Sequence, residues 1–201
     1  MANSEKILFL DSDQTASSDL IPKLVTFKHE MGIVPERSLN NHFMGKLMDI
    51  KRMENERIMM NKPSVFLPVV PRLFTKDLIE RTLSSLGDEV IKNVTETEDS
   101  IIFYQAMKFS NDIGWIKSVI YNFDPNLRDF ARKSFYYGSK NEKSIINGFL
   151  SEEYINLVRR IQVETLLNNR SSNVGMLFCN LLRGGPYIIG SMHSRFKRSF
   201  K

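Results

Sequence analysis

Apolar residues return every three or four positions along much of this chain, and no other feature limits its fold as much. Ile79, Leu83, Leu86, Val90 and Val94 follow one another at spacings of 4, 3, 4 and 4. Phe43, Leu47, Ile50 and Met53 follow at 4, 3 and 3, with Met44 and Met48 broadening the same side. Tyr154, Leu157, Val158, Ile161 and Leu166 mark a third stripe. Such spacings keep side chains on one face of a helix, so each segment reads as an amphipathic helix. The punctuation agrees. Asp19, Ser38, Thr75, Asp112, the pair Asp124-Pro125, Asn141, Ser151 and Ser171 or Ser172 stand where helices would start. Gly32, Asn61-Lys-Pro63, Gly138 and Gly184-Gly-Pro186 stand where they would stop.

Three stretches depart from that rhythm. Ser64-Val-Phe-Leu-Pro-Val-Val-Pro71 carries prolines that exclude both regular helix and a central strand, so an extended connector is expected. Ile7-Leu-Phe-Leu10 reads as a short buried strand or as a lead into a helix. Residues 101–109 open with Ile-Ile-Phe-Tyr, which suits a strand hairpinned with 89–94; a helix through Met107 is the rival. The expected fold is therefore mainly α. It is a single helical domain over residues 1–190, with β structure confined to a small hairpin or short sheet from 7–10 and 89–109. A basic, flexible tail covers 191–201.

With 201 residues, 42% of them hydrophobic and 25% charged, the chain can bury a core without disulfides or a structural metal. Its one cysteine, Cys179, lies in the apolar run Gly175–Leu182 and reads as a small buried hydrophobe. Met1–Leu10 holds four consecutive apolar residues, too few for a secretory leader, and no stretch approaches a membrane span. These features predict an intracellular protein, cytoplasmic or nuclear.

Charge is split along the chain. Residues 1–100 carry 13 Lys+Arg and 16 Asp+Glu, whereas 101–201 carry 15 and 7, with no acidic residue after Glu164. A basic half attracts polyanions. Two clusters stand out. The C-terminal stretch interleaves Arg195, Lys197, Arg198 and Lys201 with Phe196 and Phe200, and Arg128, Arg132 and Lys133 lie near Tyr136 and Tyr137 on one expected helix. Cations neutralise phosphates while aromatics stack on bases. The leading expectation is a non-enzymatic binding or structural protein that engages nucleic acid, RNA first. The composition fits a genome-associated or structural protein of a virus or phage. The alternative is a self-associating scaffold on anionic membrane, its Met-rich helix serving as a contact surface. No cofactor is expected.

One segment suggests chemistry instead. Ile7-Leu-Phe-Leu-Asp11-Ser-Asp13-Gln-Thr15 resembles the first motif of the haloacid dehalogenase-type phosphotransferases, an apolar strand ending in Asp-x-Asp-x-Thr. The resemblance implies Asp11 as nucleophile, Asp13 as general acid and base, and Mg²⁺ held by both. It covers nine residues, and the later strands of that family's pattern are not apparent in the chain. His29, His42 and His193 lack a second ligand at zinc spacing.

Overall fold

The computed structural model describes residues 4–61, 69–87, 98–140 and 173–199. Two compact units are distinguished, one from Met1–Leu39 with Asn55–Phe123 and the other from Asn40–Glu54 with Asp124–Lys201.

The first unit is a mixed α/β body. It contains β1 (Lys6–Leu8), β2 (Gln14–Ala16), α1 (Leu20–Thr26), β3 (Met31–Ile33) and β4 (Glu36–Ser38). The C-terminal part of α2 (Phe43–Asn61) follows, then β5 (Leu73–Thr75), α3 (Lys76–Leu86), α4 (Glu98–Ala106), β6 (Ile113–Trp115) and β7 (Ile120–Asn122). The strands form a four-stranded sheet, β1-β5-β3-β6, and a three-stranded sheet, β2-β7-β4. Met31 to Ser38 runs parallel to Ile113 to Asn122 and contributes one strand pair to each sheet. Hydrogen bonds from Ile116 N to Ile33 O (2.8 Å) and from Ile120 N to Pro35 O (2.9 Å) bridge the two pairs.

The expected mainly-α domain is thus overturned: the chain has two mixed sheets. Every described strand is three residues long, too short for period-2 alternation to register against helical spacing. Gln14–Ala16 and Glu36–Ser38 are also polar, because they pair through the backbone without filling the core. The β content was expected partly in the wrong places. Only Ile7 and Leu8 of the 7–10 segment are strand, and the 101–109 segment is helical to Ala106. Asp112 does not start a helix but precedes β6, and Gly32 sits buried within β3. Residues 89–94 lie outside the described residues, as do the helices expected from Asn141 and Ser151.

Thr75 holds the N-cap position of α3, as expected, although its hydroxyl makes no capping hydrogen bond. The helix ends at Leu86, short of the expected stripe's Val90 and Val94, and Gly87 follows it with φ +76°, a conformation glycine adopts without a Cβ clash. The main core gathers Met31, Ile33, Met59, Phe74, Leu78, Ile79, Phe103 and Ala106. A second cluster joins Leu20, Leu24, Val34, Leu73, Ile116 and Ile120.

The second unit is helical. It holds the N-terminal part of α2, then α5 (Leu127–Lys140) and α6 (Asn173–Ser199). Met44 and Leu47 of α2, Phe130 of α5 and Cys179 of α6 form its core. The face of α2 expected to be buried is only partly so: Leu47 is inside, whereas Phe43, Ile50 and Met53 are exposed. Gly184-Gly-Pro186 does not break the chain. Helix α6 continues through it to Ser199, with Pro186 inside.

Candidate nucleic-acid interface

The second unit concentrates the positive charge. It holds 16 Lys+Arg and 8 Asp+Glu, a net of +8, against −3 for the first unit. Its frame is set at the entrance to α5. Asp124 is buried and takes both Arg52 nitrogens, Nη1 to Oδ2 and Nη2 to Oδ1, each at 2.7 Å. The Asp124 carbonyl accepts Asn40 Nδ2 at 2.7 Å and His42 Nε2 at 3.2 Å. The other His42 nitrogen, Nδ1, accepts the Gly45 N–H at 3.0 Å. His42 therefore closes the start of α2, the part expected of Ser38, which lies in β4. Asn126 starts α5: its Oδ1 accepts the Asp129 N–H at 3.0 Å, and its Nδ2 donates to Asp129 Oδ2 at 2.8 Å.

With both ends of that connection tied, α5 presents a defined outer face. Arg128, Arg132 and Tyr136 recur every four residues and all three are exposed, as is Lys133. The Lys133 ammonium lies 5.9 Å from the Tyr137 ring centroid. Among the described residues, no carboxylate lies within ion-pair distance of Arg128 or Arg132. The structure thus brings the expected Arg128, Arg132 and Lys133 together beside two tyrosines. Arg195, Phe196, Lys197 and Arg198 belong to the last turns of α6, and Lys201 lies outside the described residues.

Sequence reasoning missed a cation on the same unit. Lys51 of α2 is held below the usual lysine range by burial, then by the charge of Arg183 on α6 and of Arg52. Arg183 follows Cys179 by one helical turn, and Lys51 follows Met48 by almost one. Cys179 Sγ and Met48 Sδ lie 3.7 Å apart. Cys179 is 1% exposed, and burial pushes its thiol up against the opposing pull of Lys51 and Arg183.

The aspartates of the enzyme-like motif lie in the first unit. Among the described residues, strand β1 pairs with β5 alone, antiparallel, at the edge of its sheet. The resemblance implies a strand of a parallel sheet. After β1 the chain turns tightly, Gln14 N donating to Asp11 O at 3.0 Å, and enters β2 rather than a helix. Asp11 Oδ2 accepts from Arg72 Nη2 at 3.3 Å. Asp13 is exposed, and its carbonyl accepts the Phe123 N–H at 2.8 Å.

Arg72 is the centre of a polar cluster. Besides Asp11, its guanidinium donates to Glu36 Oε1 at 2.8 Å and Asp99 Oδ2 at 3.0 Å. Burial alone would lower its pKa, but the carboxylates of Glu36, Asp99 and Asp11 outweigh that and raise it. Asp99 is held above the usual carboxylate range, by burial first and by the Asp11 and Glu36 charges, with Arg72 pulling the other way. Glu36 Oε2 accepts Asn122 Nδ2 at 3.1 Å, and Arg37 grips Glu56 through two bonds of 2.6 and 2.8 Å. These contacts tie β4, β5, β7, α2 and α4 together. Among the described residues, no group of three or more His, Cys, Asp and Glu is placed to hold a metal ion. No described helix is long and apolar enough to cross a membrane. Compared with known proteins, the chain matches no family model and no curated sequence.

Proposed function

We propose that this chain is a non-enzymatic binding protein whose basic second unit engages a polyanion, nucleic acid and RNA first. One observation carries the reading. Arg128, Arg132 and Tyr136 stand exposed in one line on α5, with Lys133 beside them, and neither arginine has a carboxylate partner among the described residues. Exposed guanidinium groups four residues apart can neutralise successive phosphates, and Tyr136, 52% exposed, offers a ring on which a base can stack. Arg183 adds a positive charge on the same unit. The acid-free basic end of α6 extends it.

The test is a titration with fluorescent single-stranded RNA at several salt concentrations, using wild type and an Arg128→Ala/Arg132→Ala double variant. Both side chains are exposed, so the fold is unaffected. Two lost phosphate contacts should weaken affinity on the order of ten-fold and flatten the log–log salt slope by about 1.4. Salt-insensitive wild-type binding, or a variant that binds as the wild type does, would remove the reading.

A further inference from the structure

Helix α6 is apolar on two faces. One is packed: Cys179 and Gly190 are buried, and Leu182 lies against the helical core. The other is open. Phe178, Leu181, Gly185, Ile188 and Met192 recur at spacings of 3, 4, 3 and 4, one line along a helix, with Ile189 alongside. Phe178 is 43% exposed, Leu181 63%, Ile188 59%, Ile189 60% and Met192 52%. A patch of this kind on a folded surface marks an interaction site.

Two properties choose its occupant. The stripe is mostly aliphatic, and aliphatic side chains do not stack on bases, so nucleic acid is a poor fit for this face. Across its 27 residues α6 carries Arg183, Arg195, Lys197 and Arg198 and no acidic residue. A second copy docked along the same stripe would bring no carboxylate to these cations. An apolar stripe on a helix whose charges are all positive complements a surface that is apolar inside and anionic at its rim. We infer that the outer face of α6 docks on a bilayer containing acidic phospholipid, the stripe entering the headgroup–acyl boundary and the basic C-terminal turns of the helix meeting the headgroups. This docking is carried by the apolar face of α6, whereas Arg128 and Arg132 of α5 carry the nucleic-acid reading, and it does not rest on that reading.

Co-sedimentation of the full chain with phosphatidylcholine vesicles, with and without phosphatidylserine, tests it alongside a Leu181→Gln/Ile188→Gln variant that leaves charge unchanged. The wild type is expected to pellet with phosphatidylserine vesicles and at least about ten-fold less with phosphatidylcholine alone. The variant should lose about ten-fold or more of that binding while keeping its helicity, melting temperature and RNA affinity. The Arg128→Ala/Arg132→Ala variant should still pellet, which separates this docking from RNA binding. Four results would each overturn it. The wild type fails to pellet, or pellets equally with both vesicles. The glutamine variant pellets as the wild type does. The variant loses its fold, meaning that the chain itself covers this face. The wild type is a dimer that the variant converts to monomer, meaning that a second copy covers it.

Discussion

Arg72 is 7% exposed and holds Glu36, Asp99 and Asp11 around one guanidinium. Replacing it with methionine keeps most of the volume and leaves three carboxylates facing one another. Removing one partner of a buried ion pair costs about 3–5 kcal/mol, and partial exposure of Asp11 and Asp99 reduces that here to about 2–4 kcal/mol. Urea unfolding of Arg72→Met at neutral pH measures it. The pH dependence has a definite sign. The folded pKa of Asp99 lies above its ordinary 3.8, so between the two values the folded state holds more protons and stability falls as pH rises. Loss of Arg72 removes the one influence that lowers this value. The gap between variant and wild type should therefore be widest at neutral pH and narrow once the carboxylates protonate. This cluster was half-legible in the sequence. A single arginine in Val69-Val-Pro-Arg-Leu-Phe74 signals a buried, paired cation, but its partners come from positions 11, 36 and 99 and share no local pattern.

Helices α5 and α6 meet backbone to backbone. A Cβ on Gly138 would lie 2.0 Å from the Tyr187 carbonyl oxygen, and one on Gly190 would lie 2.1 Å from that of Phe135. Neither neighbour is a flexible side-chain end, so the helices must separate to admit a methyl group. Gly138→Ala and Gly190→Ala should each destabilise by about 1–3 kcal/mol, lowering the melting temperature by a few degrees per kcal/mol. Gly184→Ala is the control: a Cβ there meets nothing within 4 Å, and alanine should stabilise the helix by about 0.5–1 kcal/mol. Thermal unfolding of the three variants should separate them in opposite directions. From the sequence, Gly138 read as a helix end and Gly184-Gly-Pro186 as a break. Glycine marks close helix contact as readily as termination, and only the facing backbone decides between them. The strands were harder still: three residues carry no period, whereas the 11 residues of α3 carry a full stripe.

At the scale of the molecule, the halves of the sequence showed the −3 and +8 division, but the structural boundary does not fall at mid-chain. The helical unit takes Asn40–Glu54 from within the other unit's sequence, a discontinuity that no linker announces. Met44 and Leu47 of that inserted piece form its core with Phe130 and Cys179, and Arg52 neutralises the buried Asp124. A fragment containing only Asp124–Lys201 would expose that core and leave Asp124 without its partner. Circular dichroism during urea titration should show a shallow, non-cooperative loss of helix for the fragment, against a sigmoidal transition for the full chain. A sigmoidal fragment transition would mean that 124–201 needs nothing from α2.

The parallel alignment of Met31–Ser38 with Ile113–Asn122 also sets a schedule. Met31 must wait for Ile113 and Thr15 for Tyr121, so the shortest of these pairings spans 82 residues. At about 5–20 residues per second, translation alone separates β3 from β6 by roughly 4–16 s. Through that interval the wholly apolar Met31-Gly-Ile-Val34 has no parallel neighbour, although its fully buried place in the finished sheet demands one. A nascent chain of this design carries an apolar strand early and completes its cover late.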